Sequence, residues 1–202
     1  MSTHRKLLLA LVVMASVGLG CLSEWLLAAG MSHGQAEIQA RNGWKLADGK
    51  RAQAKWEDAG KIYEKTLEIL AQSSSGGVSG DKTTLGMAAT QMIEFCKAMP
   101  IDVTKLGDGT YEGQAWGYQA QMTIEIKLEK GRIKSFQVKD QKESSPRKAF
   151  EVVPALIVKR QSPSVDAASG ATCTSYGLMT ATLRALKKAP PAADEKAKAA
   201  EK

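Results

Sequence analysis

The hydrophobic pattern of residues 108–138 constrains the fold most, because its period is two rather than that of a helix. Apolar residues alternate with polar ones from Met122 to Leu128, as they do in a strand with one buried face. A turn at Lys130-Gly131 and a change of parity near Lys134 predict a returning strand that contains a bulge. With the run that begins at Asp108, this pattern predicts a three-stranded antiparallel meander.

The first strand of this meander carries small residues on one face. Gly113, Ala115 and Gly117 all point the same way as Tyr111 in an extended chain. Small side chains leave room at the strand, so we expect another surface to come close to it.

The N-terminus places positive residues before a long apolar run, which orients a chain with its N-terminus inside and the rest exported. We expect residues 1–30 to be an uncleaved membrane anchor. Cleavage near Ala28-Ala29-Gly30 and lipidation at Cys21 remain open alternatives. A buried helix of a soluble protein is the least favoured interpretation, because of the flanking charges.

Residues 31–106 have a helical pattern. It runs from Gln35 to Leu70 with soft breaks at Gly43 and Gly49, and it resumes after a serine- and glycine-rich connection at 73–80. We expect these helices to form a hairpin that either spaces the second half of the chain from the membrane or rests against that second half.

Two helices are predicted after the sheet. One begins at Ser145-Pro146, and Pro154 predicts either a kink or a division into two short helices. The other is amphipathic and runs from about Ser175 to Lys188. The low-complexity tail, 189–202, is predicted to be disordered. The expected fold class is therefore α+β.

Composition excludes several kinds of site. The net charge is +7, but no run of Lys and Arg is interleaved with aromatic residues, so nucleic acid is not an expected partner. The three cysteines are far apart, and both histidines lie in the N-terminal region. This argues against haem, iron–sulfur and metal sites. An exported compartment permits a disulfide between Cys96 and Cys173, but nothing in the sequence requires one.

One short stretch suggests a ligand. Thr172 follows the small residues Ser169, Gly170 and Ala171, where a loop gives way to a helix. Free N–H groups and the positive end of the helix dipole favour a phosphate at such a position. The alternative is an ordinary helix start that is capped by Thr172 or Thr174.

The same stretch resembles the FMN-binding domains in which FMN is joined to a threonine by a phosphoester. Their acceptor motif, Asp-x-x-Ser/Thr-Gly-Ala-Thr, is filled here by Asp166, Ser169, Gly170, Ala171 and Thr172. The resemblance implies that Thr172 is the acceptor and that the other four residues are read by a separate flavin transferase. Thr174 is grouped with them as a cofactor-binding residue.

A second resemblance to this family lies in the sheet, at Asp108–Gly113, Gly117-Tyr118 and the hairpin about Gly131. The similarity thus extends from Asp108 to Lys188. The sequence departs from the membrane-anchored flavin subunits of sodium-pumping NADH:quinone reductase, whose Glu-Thr-Pro-Gly segment is replaced here by 143–148.

The resemblance implies an FMN-binding domain over 107–188 and an exported electron carrier at the outer face of a bacterial membrane. Its partners would be the flavin transferase and a membrane reductase or extracytoplasmic acceptor. No catalytic residue for substrate turnover is identified, so a redox carrier is favoured over an enzyme.

The candidate surface for the flavin ring is the glycine-rich strand 113–117 with Tyr111, Trp116 and Tyr118, unless these aromatics simply complete the core. A noncovalent FMN module and an envelope adaptor without cofactor remain alternatives.

Overall fold

In the described part of the chain, three helices precede a sheet and two helices follow it. The computed structural model describes residues 33–72, 84–143 and 148–192. The elements are α1 (His33–Ala52), α2 (Trp56–Gln72), α3 (Thr84–Ala98), a 3-10 turn (Val103–Lys105), β1 (Gly109–Trp116), β2 (Gln121–Glu129), β3 (Arg132–Asp140), α4 (Lys148–Arg160) and α5 (Thr172–Leu186). This arrangement confirms the predicted α+β class.

The sheet is the predicted antiparallel meander, in the order β1-β2-β3. Lys130 and Gly131 have φ values of 52° and 67°, as the tight hairpin turn between β2 and β3 requires. The register shifts where Ser135 pairs with Lys127 and Ile133 with Leu128, so the bulge predicted near Lys134 is confirmed. The structure adds a second register shift near the end of β3, which the sequence pattern did not predict.

Helix α5 lies at the centre of the molecule. It begins at Thr172, where the sequence placed the change from loop to helix, three residues before the approximate start at Ser175. The prediction that it is amphipathic is wrong, because only Thr172 and Arg184 among its residues are not buried. The helix packs on β1 and β2 and also contacts α3 and α4. A helix covered on several sides must be apolar or small on all of them, which removes the polar stripe of a surface helix.

Glycines set the close approach of α5 to the sheet. A Cβ added to Gly113 would lie 1.9 Å from the backbone oxygen of Ala181. From the helix side, a Cβ on Gly177 would lie 2.4 Å from the carbonyl oxygen of Trp116. The prediction that a surface comes close to β1 is therefore confirmed, and that surface is the backbone of α5.

The helical region differs from the prediction in where it breaks. Helix α1 continues through Gly43 and Gly49, and the chain turns only at 53–55, where Ala54 has a φ of 57°. A Cβ on Gly43 would lie 2.5 Å from Oγ1 of Thr66 in α2. Gly43 thus serves the crossing of two helices, which is why a break predicted from its conformational freedom was wrong.

Helix α4 is a single helix, although Pro154 lies inside it. The predicted division into two short helices is therefore wrong. Val153 and Ile157 are fully buried on either side of the proline. Burying two branched aliphatic side chains offsets the cost of about 3 kcal/mol that an interior proline imposes.

A polar cluster, in which all members but Asp48 are buried, joins the helical region to α5. Asp48 of α1 accepts hydrogen bonds from the hydroxyls of Tyr63 at 2.9 Å and Tyr176 at 2.8 Å. Burial raises the pKa of both tyrosines, so they remain donors. Arg51 pairs with Asp48 at 3.0 Å and donates to the carbonyl of Val165 at 2.8 Å. The helices thus rest against the second half of the chain, one of the two arrangements that the sequence left open.

Several predicted features lie outside the described residues, namely the anchor of residues 1–30, the connection at 73–80, the helix start at Ser145-Pro146 and the end of the tail. No helix within 33–72, 84–143 and 148–192 has the length and apolar character needed to cross a bilayer. At the start of the tail, the N–H of Ala192 donates to the carbonyl of Lys105 at 2.8 Å, and Pro191 pairs with Leu106, so the prediction of disorder is wrong for residues 189–192.

Candidate functional site

The N-terminus of α5 lacks a side-chain cap. Its N-cap residue is Ala171, and Thr172 is the first helical residue, so the interpretation of Thr172 or Thr174 as a cap is wrong. The N–H of Ser175 donates to the carbonyl of Ala171 at 2.9 Å, which is the first bond of the helix. The N–H groups of residues 172–174 therefore have no partner within the helix.

The loop before α5 is fixed by its own backbone and by Ser175. Gly170 has a φ of 78°, which favours glycine, and its missing side chain would point into open space. The N–H of Ala171 donates to the carbonyl of Ala168 at 2.9 Å. The hydroxyl of Ser175 accepts from the N–H of Ala168 at 3.0 Å and donates to the carbonyl of Ala171 at 2.8 Å. These bonds hold Thr172 in a defined place at the helix start.

A cavity of about 170 Å³ opens at this helix start. It is lined by Arg41, Trp44, Leu85, Tyr118, Gly170, Ala171, Thr172, Cys173 and Thr174. Enclosed ligand pockets measure roughly 300–1,000 Å³. This cavity is smaller, so a cofactor bound at Thr172 would be enclosed only in part.

The structure separates the six predicted site residues into two groups. Gly170, Ala171, Thr172 and Thr174 line the cavity. Asp166 and Ser169 are exposed and do not line it. The carboxylate of Asp166 instead forms an ion pair with Arg160 at 2.7 Å. The exposed pair is thus open to contact with another protein, whereas the cavity group can contact a bound small molecule.

The polar groups of the cavity suit an anion. Arg41 supplies a positive charge, and the first turn of α5 supplies N–H groups and the positive end of a helix dipole. Trp44 is 4% exposed, and its indole N–H has no hydrogen-bond acceptor among the described residues. None of the described residues hydrogen-bonds the partly exposed Thr172 hydroxyl. These features fit a phosphate-linked group.

Glu143 is a residue of the site that sequence reasoning missed. It is 5% exposed, and its Oε1 accepts from the N–H groups of Gln119 at 2.8 Å and Ala120 at 3.2 Å. Its Oε2 accepts from the hydroxyl of Thr174 at 3.1 Å. The carboxylate thus joins the turn at 117–120, which carries Tyr118, to the first turn of α5. No local pattern marks a buried acid of this kind.

Arg41 and Trp44 were also missed, although the sequence held a signal. Ala36, Ala40, Trp44 and Ala47 are buried at helical spacing, which marks the face of α1 that contains the indole. Their relation to Thr172 depends on how α1 packs, which the sequence pattern does not show.

The candidate ring surface is only partly supported by the structure. Gly113 is covered by α5, so the glycine face of β1 cannot receive a flavin ring in its middle. Trp116 is 44% exposed and Tyr118 is 52% exposed, so the interpretation that they complete the core is wrong. Of these aromatics, only Tyr118 lines the cavity.

The cysteines of the described chain are free thiols. Cys96 and Cys173 are buried and unpaired, so the permitted disulfide is absent. Burial raises the pKa of each thiol to about 11, although Arg41 partly opposes this rise at Cys173. A high pKa keeps the reactive thiolate rare, as expected of a buried filler. Among the described residues, no cluster of His, Cys, Asp and Glu could hold a metal ion.

Comparison with known proteins bears directly on this site. An uncharacterized protein of Treponema pallidum (strain Nichols) is 30% identical over 106 residues, which make up 52% of this chain and 29% of that protein. The chain thus matches less than a third of that relative's length. Residues 117–187 match the model of the FMN-binding domain family. The matched stretch includes Thr172 but not α1, and it supports FMN as the ligand of this chain.

Proposed function

We propose that this protein carries FMN covalently on Thr172 and transfers electrons at the outer face of a bacterial membrane. The observation that carries the proposal is the position of the Thr172 hydroxyl. It is the first side chain of α5, it borders a cavity with Arg41, and it lies inside the stretch that matches the FMN-binding domain.

The helix start supports a phosphoester at this place. Attachment would form a bond between Thr172 Oγ1 and phosphorus, release the hydroxyl proton and expel the leaving group of the transferase's flavin substrate. The product would have one negative charge beside the first turn of α5, whose N–H groups have no partner within the helix, and beside the guanidinium of Arg41. The exposed Asp166 and Ser169 would remain available to the transferase.

FMN, when bound, supplies one- and two-electron redox chemistry, and the protein fixes its position and surroundings. The small cavity supports this division of roles, because it would hold the phosphate end and leave part of the cofactor accessible to redox partners. Tyr118 would border the bound cofactor at the cavity wall. No described group is suited to turning over a separate substrate, so we propose a carrier rather than an enzyme.

The membrane location is proposed from the sequence of residues 1–30, with its positive start and apolar run. It implies a single span with the folded chain outside and a membrane reductase or an extracytoplasmic acceptor as redox partner. Fusion of alkaline phosphatase after Ala192 tests the orientation. An active fusion in the membrane fraction is expected, and an inactive one would refute export.

The attachment is tested by the mass of the chain after coexpression with a flavin transferase. We expect a gain equal to one FMN minus water, and flavin fluorescence that stays with the denatured chain. Thr172→Val keeps the size of the side chain but removes the hydroxyl, so it should abolish both signals. Thr172→Ser, which keeps a hydroxyl, should retain some attachment.

Thr110→Val is the matched control, because Thr110 is an exposed threonine on β1 outside the cavity. It should load as the unaltered chain does. Covalent flavin on Thr172→Val would refute the assignment of the acceptor. Flavin that is bound but released on denaturation would favour the noncovalent module, and a chain without any flavin would favour the envelope adaptor.

A further inference from the structure

We propose that Arg41 and Trp44 of α1 complete the cofactor site by binding the phosphate of the threonine-linked FMN. This inference rests on the proposed function of Thr172. It gives the helical region a direct part in holding the cofactor, although that region lies outside the stretch that matches the FMN-binding domain.

The two residues are three positions apart on α1, so they lie on the same side of the helix, one turn from each other. Both line the cavity that contains Thr172. Helix α1 is held there by the bonds of Asp48 to Tyr176 and of Arg51 to Val165. The opposite wall of the cavity is thus fixed relative to the start of α5.

Trp44 supplies the most specific observation. Its ring is almost fully buried and packs edge-on against Tyr176, with ring centroids 5.6 Å apart. Its Nε1–H is buried without an acceptor among the described residues. A buried donor without a partner is costly, and a phosphate oxygen in the cavity would remove that cost.

Arg41 supplies the charge. It lines the cavity beside Thr172 and Cys173, and its positive charge opposes the rise that burial causes in the pKa of the Cys173 thiol. A phosphodiester on Thr172 would be a partner of opposite charge. Arg41, the indole N–H and the first turn of α5 would then contact one anion from two helices.

The test compares the full chain with and without attached FMN, in mild detergent, by urea unfolding followed by circular dichroism. Trp44→Phe should raise the unfolding equilibrium constant in both forms, and the factor should be roughly twofold to tenfold larger for the loaded chain than for the unloaded chain. Only the loaded chain loses a hydrogen bond. For Arg41→Gln the corresponding difference between loaded and unloaded chains should be about twofold to fivefold, because ion pairs of an exposed side chain are weakened by solvent.

Trp56→Phe is the matched control. Trp56 also belongs to the helical region, but it packs against Phe95 and does not line this cavity. Its substitution should affect loaded and unloaded chains equally. In the loaded chain, the phosphorus-31 resonance should shift in Trp44→Phe and Arg41→Gln and should stay unchanged in Trp56→Phe.

The outcomes separate the two proposals. A chain that never gains FMN refutes the function of Thr172, and this inference falls with it. The chain could instead load normally, each substitution could destabilise both forms equally, and the phosphorus resonance could stay in place. That result overturns the role of Arg41 and Trp44 but leaves the function of Thr172 standing. A differential effect with a shifted resonance supports it.

Discussion

Gly113→Ala should be the most damaging single methyl addition in the sheet. The new Cβ would lie 1.9 Å from the carbonyl oxygen of Ala181 and 2.8 Å from the backbone nitrogen of Ala185. Real Cβ contacts are rarely shorter than 3.4 Å. Helix α5 would therefore have to move by about 1.5 Å, in an interior that is packed as densely as an organic crystal.

The cost follows from the kind of atoms that collide. Overpacking usually costs about 1–3 kcal/mol when side chains can adjust. Here the obstacle is the backbone of α5, which packs on the sheet and is also held by contacts with other helices, so we expect a loss of about 3 kcal/mol. For a chain of 202 residues this corresponds to a fall in melting temperature of roughly 6–12 °C.

Thermal unfolding by circular dichroism measures this effect, with Gly49→Ala as the control. Gly49 lies in α1, and a Cβ there meets no atom within 4 Å. Alanine should therefore raise stability at this site by about 0.5–1 kcal/mol. If Gly113→Ala melts within 2 °C of the unaltered chain, roughly what 1 kcal/mol would cause, the account of how α5 packs is refuted.

Two further predictions concern carboxylates. Glu143→Gln replaces an acceptor oxygen by a donor amide in a buried set of three hydrogen bonds. It should lower the free energy of unfolding in urea by about 1–3 kcal/mol and slow FMN loading. Unchanged stability and loading would contradict the role of Glu143. The hydrogen bond from Arg184 lowers the pKa of Glu94, whose carboxylate therefore stabilises the fold above its ordinary pKa of 4.5 and loses this effect as pH falls through the lowered value. Glu94→Gln should accordingly cost about 0.5–1 kcal/mol at pH 7 and progressively less as pH falls below 4.5 through the lowered pKa, whereas a deficit that does not change with pH would refute this linkage.

The sheet could be predicted from the sequence because its signals are local. Alternation from Met122 to Leu128 specifies the buried face, and Lys130-Gly131 specifies the turn that sets the register. The glycines of β1 predicted a close approach. They could not show that the approaching surface is the backbone of α5, because that contact joins residues far apart in sequence.

The site could be predicted only where it is continuous in sequence. Gly170, Ala171 and Thr172 were found through a motif, and the structure places all three at one cavity. Arg41 and Glu143 come from distant segments, and their neighbours in sequence carry no sign of a ligand. The burial of α5 on several sides was missed for the same reason, since helical periodicity shows one packing face and cannot count how many elements cover a helix.

The carboxylate of Asp48, which accepts hydrogen bonds from two buried tyrosines, limits how this protein can be divided or recombined. A graft of residues 107–188 into another protein would carry Thr172, but the hydroxyl of Tyr176 would lose the acceptor it has in α1. The indole and guanidinium that border the cavity would be left behind. The proposed site therefore predicts that a transplantable flavin cassette has to begin at or before α1, well upstream of the stretch by which sequence comparison detects the domain.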